Sequence, residues 1–266
     1  MKPLILLTVV VLCSTALAAT ARADAPPSIF DGAGVFLDNP GNLPGPWDLA
    51  ATLEANHFRW IAFHVNNGHA QSDIPSDWIP VFRAHGIAVG GWGYEDGQPR
   101  YEAVLAYLAV QQYGLDFFIA DAESPYEQTK KLHGWGRSKI FVNTFRSLEP
   151  TLPAALTTYG AATAPWVLPI DYAAWRDAGF DLLPQAYYNQ FPKSSRPDMT
   201  VAHSLRAGWP LDRVHPVLGV YRRYPAANYL PLLAGLGTRG FSVFLADQAT
   251  AADYAALGPL AAAASG

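Results

Sequence analysis

The sequence predicts an α/β fold in which eight parallel strands, each followed by a helix, close into one barrel. Short runs rich in β-branched and aromatic residues alternate with Ala- and Leu-rich segments at fairly even spacing, as in a parallel sheet. Residues 24–266 have the usual size of such a barrel, about 250 residues. Every predicted strand ends in polar or aromatic residues, whereas a doubly wound open sheet, the alternative, would concentrate them at one crevice. We therefore predict a single-domain (β/α)8 TIM barrel.

The elements follow one another in regular order. The β-branched and aromatic runs predict strands near residues 34–37, 60–65, 87–92, 117–122, 155–159, 182–187, 217–220 and 241–246. The Ala- and Leu-rich segments predict helices near residues 47–56, 78–85, 101–112, 136–148, 172–178, 201–207, 227–236 and 251–257. No linker or low-complexity run divides the series, and the Ala-rich end, residues 255–266, is expected to fray.

Residues 1–23 have the features of a secretory signal peptide. Lys2 precedes an apolar stretch over residues 3–17, and Ala21-Arg22-Ala23 offers a small-x-small cleavage site. Polar residues interrupt the apolar stretch before it reaches the length of a transmembrane helix. We therefore expect a mature domain of residues 24–266 that is secreted, or exported to the periplasm or cell envelope, and is not held in a membrane.

Composition excludes several kinds of site from the mature domain. The only cysteine, Cys13, lies in the predicted signal peptide, which leaves neither disulfides nor thiolate metal sites. Without Lys2 and Arg22 the 18 basic residues fall to 16, against 22 acidic residues, so nothing attracts a nucleic acid. No zinc-ligand His pair occurs, and the only GxGxxG precedes a predicted strand instead of following it. We expect a monomer without metal or cofactor.

Alternation within strands predicts which side chains point into the barrel, because neighbouring side chains on a strand face opposite ways. The interior positions of the first, second, fourth, sixth and eighth strands are Gly34, Phe36 and Asp38; Ala62, His64 and Asn66; Phe117, Ile119, Asp121 and Glu123; Leu183, Gln185, Tyr187 and Asn189; and Phe241, Val243, Leu245 and Asp247. In each strand this interior face turns from apolar to polar toward the carboxyl end. The polar residues are therefore expected to meet at one mouth of the barrel.

Asp121 and Glu123, which close the apolar run 117–120, are the strongest candidates for catalysis. They share one face of a strand, about 7 Å apart by strand geometry. Ser124-Pro125 and Glu127 predict a helix start with a capping box. The two carboxylates are thus expected where a strand passes into a βα loop, the usual place of active sites in such barrels. A purely structural pair that caps the helix is the alternative.

The other residues expected at the mouth suit a sugar. Aromatic rings stack on pyranose faces, and carboxylates and amides hydrogen-bond to hydroxyl groups, whereas a phosphate would require Arg, Lys or a Gly-rich turn. The candidate substrate-binding residues are Asp38, His64, Trp92, Tyr94, Gln185, Tyr187, Asn189 and Asp247. A turn at Asp38, a core role for His64 and a helix cap at Asp247 are the structural alternatives. Glu95-Asp96 is expected to be a solvated loop.

Hydrolysis of a glycosidic bond needs an acid for the leaving oxygen and a group that stabilises or traps the oxocarbenium-like centre. Glu123 is the predicted acid, since burial and the neighbouring carboxylate favour its protonated form, although a helix start favours the anion. Asp121 lies on the same strand and cannot flank the sugar from the opposite side, so it is the predicted helper. The second role falls to Asp38 or Asp247 across the mouth, or to a 2-acetamido group of the substrate.

Residues 114–123 (GLDFFIADAE) resemble the fourth-strand motif DGxDxDxE of chitinase-type glycoside hydrolase family 18. Asp116, Asp121 and Glu123 match its first aspartate, its third aspartate and its acid. Phe117 replaces the glycine of the motif, and Ile119 replaces the second aspartate. The resemblance implies a barrel glycosidase with Glu123 as its acid.

A second segment, Gln185-Ala186-Tyr187, is similar to the sixth-strand Q-x-Y of that family, which implies that Tyr187 assists the acetamido group. Phe244 and Leu245 stand where the family has a floor tryptophan. The pattern of a strand ending in D-x-E, with aspartates on the first strand and late in the chain, also resembles family 25 lysozymes, which cleave bacterial cell-wall glycan. In this sequence Phe36 occupies the position of the first-strand aspartate of family 25, and Asp38 lies two residues beyond it.

Together these features predict a secreted, retaining glycoside hydrolase acting on an N-acetylated polysaccharide of the peptidoglycan or chitin type. A catalytically inactive, carbohydrate-binding barrel of the cell envelope is the alternative, because Ile119 removes a carboxylate that tunes the pair. A purely structural or interaction barrel is the third possibility.

Overall fold

A computed structural model describes residues 27–127, 134–160, 170–191, 195–222 and 224–264. The predicted signal peptide and its cleavage site lie outside these residues. Among the described residues, no helix combines the length and apolar character needed to span a lipid bilayer.

Eight parallel strands form the barrel. They are β1 Gly32–Leu37, β2 Phe58–Asn67, β3 Ala88–Glu95, β4 Phe118–Ala122, β5 Ala154–Tyr159, β6 Asp181–Ala186, β7 Val217–Gly219 and β8 Gly240–Phe244. Each strand pairs with the next, and β8 pairs with β1, so the sheet is closed. A two-residue strand, Ala70–Gln71, pairs antiparallel with the end of β2. The predicted (β/α)8 barrel is confirmed, and the open sheet is excluded.

Helices surround the barrel. They are α1 Pro46–Ala55, α2 Trp78–Ala84, α3 Pro99–Tyr113, α4 Gly134–Leu148, α5 Tyr172–Asp177, α6 Pro197–Arg206, α7 Leu230–Leu233 and α8 Ala251–Ala264. The Ala-rich end was expected to fray but is helical to Ala264, because Leu257 and Ala261 are fully buried. The capping box predicted at Ser124 does not form: Ser124–Tyr126 is a 3-10 turn without a side-chain cap.

Two apolar layers hold the barrel together. Inside it, Phe30, Phe36, Trp60 and Phe117 pack edge to face, with ring centroids 5.2 to 5.8 Å apart. Gly34 makes room for this packing, since a Cβ there would lie 1.9 Å from the Trp60 ring. A second layer lies between the strands and the helices. The lower barrel is therefore solid, and chemistry is restricted to its carboxyl mouth.

The predicted orientation of side chains holds for β1, β4 and β6, whose apolar members Phe36, Ile119 and Leu183 lie in the interior layer. It is wrong for Phe241 and Val243 of β8, which pack outward under the helices, but it holds for Leu245, which follows the strand and lies in the interior layer. The inward face of β8 includes Ser242, so alternation favoured the more apolar outward face as the interior one.

The orientation predicted for Asn66 is also wrong. The pairing of β2 with β3 shifts register between His64 and Asn66, and Asn66 pairs with Gly93. The side chain of Asn66 therefore lies against the outer face of β3, where a Cβ on Gly93 would be 2.0 Å from its Oδ1.

Candidate active site

Gln185 joins the two predicted catalytic carboxylates at the carboxyl mouth. Its Nε2 donates to Asp121 Oδ1 at 3.1 Å and to Glu123 Oε1 at 2.8 Å. Asp121 ends β4 and is 8% exposed, whereas Glu123 directly follows β4 and is partly exposed. Residues more than sixty positions apart in the chain thus converge on one pair of carboxylates. Glu123 occupies the cap position of the 3-10 turn Ser124–Tyr126, but its side chain makes no capping bond there.

Burial and the neighbouring Glu123 raise the pKa of Asp121 well above its usual value of 3.8. The hydrogen bond from Gln185 acts in the opposite direction but is the smaller effect. Asp121 is therefore held in its neutral form well above the pH at which an exposed aspartate ionises. A neutral carboxyl beside a second carboxyl can donate a hydrogen bond as well as accept one.

Tyr94 on β3 and Tyr187 directly after β6 both lie close to the carboxylate pair. Burial, Asp121 and Glu123 all raise the pKa of Tyr187, and burial, Glu123 and Asp121 raise that of Tyr94. Both tyrosines therefore keep their hydroxyl protons at neutral pH. They present hydrogen-bond donors and apolar ring faces at the mouth.

Phe244 is the residue that the sequence prediction missed. Its ring stacks with Tyr187 at 5.4 Å between centroids and 24° between planes, and it meets Trp92 and Tyr221 edge on. Together with Tyr187 it forms an aromatic floor at the mouth. Phe244 stands at the sequence position of the family's floor tryptophan, and this correspondence could have identified it. The predicted orientation of β8 was inverted, however, so Phe244 was expected to point outward.

Trp92, His64 and Asp38 form a second group of contacts at the mouth. His64 covers Trp92 with ring centroids 3.9 Å apart and planes 7° apart. Its Nδ1 lies 2.7 Å from Asp38 Oδ1, and its Nε2 lies 3.0 Å from the Asn66 carbonyl oxygen. Because Trp92 is 5% exposed, its ring is not presented to a sugar. The hydrogen bond from His64 lowers the pKa of Asp38.

Asn189 and Asp247 make contacts away from the carboxylate pair. The Nδ2 of Asn189 donates to the Tyr221 carbonyl oxygen at 3.3 Å, which ties two loops together. Asp247 Oδ2 accepts from Asn42 Nδ2 at 2.8 Å and so links the loops after β8 and β1. Asp247 does not cap α8. At the start of that helix, the backbone N–H of Thr250 donates instead to Asp253 Oδ2.

Glu95 is fully buried, so the expectation of a solvated loop at Glu95-Asp96 is wrong. The register places Glu95 beside Ala122, on the outer face of the sheet behind Asp121. Among the residues that the structure describes, neither carboxyl oxygen of Glu95 has a hydrogen-bond partner of good geometry. Burial, followed by the charges of Glu102 and Asp121, raises its pKa well above the usual 4.5.

Replacing Glu95 with glutamine is expected to stabilise the protein at neutral pH. The unfolded chain loses this proton near the usual pKa, whereas the folded chain keeps it to higher pH. Wild-type stability therefore falls by about 1.4 kcal/mol for each pH unit between those two values. Thermal unfolding should give Glu95→Gln a higher Tm than wild type at pH 8 and a similar Tm at pH 4. An equal difference at both pH values would contradict this, and the exposed Glu54→Gln is the control.

No group of three or more His, Asp or Glu side chains that could hold a metal ion occurs within the described part of the chain.

No protein-family model matches the sequence, and neither does any curated protein. Solved structures do match the fold. A GH18 chitinase from Cycas revoluta in complex with (GlcNAc)3 has a TM-score of 0.67 and 11% identity, over 88% of this chain and 100% of that chain. A GH18 chitinase from Pseudoalteromonas aurantia has a TM-score of 0.62 and 13% identity, over 88% and 99%.

The chain shares the fold of GH18 chitinases. The same fold includes the xylanase and alpha-amylase inhibitor protein XAIP-II from Scadoxus multiflorus, with a TM-score of 0.58 and 13% identity over 86% of this chain and 98% of that chain. At these identities the likeness concerns the fold alone, so activity must be judged from the site. The resemblance to family 25 lysozymes stays a prediction.

Proposed function

We propose that the protein is a secreted glycoside hydrolase that cleaves an N-acetylated polysaccharide of the chitin or peptidoglycan type. Glu123 is the acid/base in this proposal, and Asp121 is its helper. The observation that carries the proposal is the bridge from Gln185 to both carboxylates at the open end of the barrel. A buried neutral carboxyl, a second partly exposed carboxyl and an adjacent aromatic floor are what such a cleavage needs.

The site favours a substrate-assisted route. In the first step the acetamido oxygen of the substrate attacks the anomeric carbon, and the bond to the leaving oxygen breaks as that oxygen takes the proton of Glu123. In this route the neutral Asp121 accepts the acetamido N–H through its carbonyl oxygen, and the hydroxyl of Tyr187 donates to the acetamido carbonyl. Water then opens the cyclic intermediate, and Glu123 takes back a proton. Attack from within the substrate followed by water retains the anomeric configuration.

The carboxylates across the mouth are less suited to act as the nucleophile. Asp38 is engaged by His64, and Asp247 by Asn42. Asp121, by contrast, shares a hydrogen-bond donor with Glu123.

The direct experiment is incubation of the purified protein with N-acetylglucosamine oligomers and with peptidoglycan fragments, over a range of pH. The proposal expects new reducing ends, initially in the β-configuration, detected by proton NMR. Release from a glycan without 2-acetamido groups at an equal rate would contradict the substrate-assisted route. No release from any glycan would contradict the proposed function.

A carbohydrate-binding barrel without catalysis is the second candidate. Ile119 motivates it, since it leaves the barrel interior beneath Asp121 without a carboxylate. An inhibitor protein with the same fold shows that the fold also occurs outside chitinases. Oligosaccharide binding without any released reducing end would favour this candidate.

A further inference from the structure

Tyr159 lies between the strands that carry the acid and its amide donor. It ends β5, which pairs with β4 on one side and with β6 on the other. In register, Thr157 is beside Asp121 and Tyr159 is beside Gln185. Because side chains two apart share a face, Tyr159 is on the interior side next to Glu123. The following residue, Gly160, is required by this close approach, since a Cβ there would lie 2.3 Å from the Gln185 carbonyl oxygen.

The Glu123 carboxyl is close enough to the Tyr159 hydroxyl to contribute to the raised pKa of that tyrosine. Burial is the largest effect that raises the pKa of Tyr159, and Glu123 adds to it. Tyr159 therefore stays protonated over the whole pH range in which a glycosidase works. It is a permanent neutral donor, which excludes it as a proton acceptor for the reaction.

We propose that Tyr159 is a positioning residue whose hydroxyl, together with the Gln185 amide, holds the Glu123 carboxyl from two neighbouring strands and stabilises its anion. This inference rests on the proposed function for its catalytic meaning. Glu123 becomes an anion when it protonates the leaving oxygen, and Asp121 offers it no positive charge. Two neutral donors aimed at the carboxyl supply stabilisation that grows as the charge develops.

Other groups also face Glu123, but they do not take over the role proposed for the Tyr159 hydroxyl. They are Asp121 on β4, Tyr94 on β3, Tyr187 after β6 and Tyr221 after β7. The hydroxyl of Tyr221 donates instead to the Gln190 side chain. Removal of the Tyr159 hydroxyl would therefore leave Gln185 as the donor that remains to the acid.

The test is Tyr159→Phe, with Tyr188→Phe as the matched control. Tyr188 follows Tyr187 but packs outward against Tyr224 and Tyr229. For Tyr159→Phe we expect the alkaline limb of kcat/KM to move up by roughly 0.5 to 1 pH unit. We also expect kcat to fall about tenfold or more with little change in KM, in line with the loss of a hydrogen bond to a charged group. Tyr188→Phe should leave the rates and the pH profile unchanged.

A second measurement does not depend on turnover. Carboxyl carbon NMR of the free protein follows the titration of the Asp121–Glu123 pair, which is expected to lose its last proton at higher pH in Tyr159→Phe than in wild type or Tyr188→Phe. If wild type hydrolyses glycans but both readouts are unchanged in Tyr159→Phe, the inference about Tyr159 is overturned and the proposed function stands. If wild type hydrolyses nothing, the proposed function fails, and the NMR titration alone decides whether Tyr159 holds Glu123.

Discussion

Replacing Glu123 with glutamine is expected to reduce hydrolysis by roughly a thousandfold or more, within the range measured for general acids and bases. Glutamine keeps the shape and still accepts a hydrogen bond from Gln185 through its carbonyl oxygen, but it has no proton to give to the leaving oxygen. Rates should be measured with wild type and variant at several pH values. Binding of N-acetylglucosamine oligomers, measured by calorimetry, should stay within a few-fold of wild type.

Glu54→Gln is the matched control for this substitution. Glu54 lies near the end of α1 and contacts His85, Nδ1 to Oε2 at 2.6 Å, away from the mouth. Its replacement should leave turnover unchanged. Turnover of Glu123→Gln within a factor of ten of wild type would remove Glu123 from the role of acid. Loss of oligomer binding together with turnover would instead point to an error in folding.

The fold was predictable because its signals are repeated. Eight alternations of β-rich and Ala- or Leu-rich segments agree with one another, so an error at one boundary changes nothing in the architecture. The bounds of a single element depend on a local signal that is not repeated, and one of these predictions was wrong. α7 is four residues long, preceded by a 3-10 turn at Ala226–Tyr229, although a helix was predicted over residues 227–236.

The centre of the site was predictable for a simpler reason. Asp121 and Gln185 are polar residues in strands that are mostly apolar, Glu123 directly follows one of these strands, and the ends of parallel strands meet at one edge. The burial of Glu95 could not be read in the same way. It stands at the end of β3 in a polar stretch, and its burial comes from tertiary packing that brings Glu102 and Tyr126 close to it.

The surroundings of the site depend on local irregularities that leave no trace in composition. One register shift in β2 turns Asn66 from the mouth to the outer face. His64 was predicted to face the sugar, and its stacking on Trp92 removes that tryptophan from contact. Both outcomes follow from the pairing of two particular strands, which alternation within a single strand cannot determine.

Replacing Asp121 with asparagine is expected to change activity and stability in opposite directions. Activity should fall about a hundredfold or more, since the carboxyl that orients the acetamido group and shares hydrogen bonds with Glu123 is lost. Stability should rise at neutral pH, because the buried carboxyl is replaced by a neutral amide of the same shape. That amide can still accept from Gln185. Paired measurements of turnover and of chemical unfolding at pH 7 test both parts.

The pH dependence of the stability difference between Asp121→Asn and wild type shows whether the gain comes from the titration of Asp121 or from a change in packing. Asp121 has a raised pKa in the folded protein, so the folded state keeps a proton that the unfolded chain loses near 3.8. The wild type is therefore progressively destabilised as pH rises above that value, by about 1.4 kcal/mol per pH unit until the folded carboxyl ionises. Asp121→Asn has no such proton, and its advantage over wild type should vanish below pH 4 and grow toward neutrality. A stability gain that is constant across this range would show that packing, and not the buried charge, separates the two proteins. A loss of stability at pH 7 would show that Asp121 ionises freely in the folded state, and its role as a neutral helper to Glu123 would then have to be abandoned.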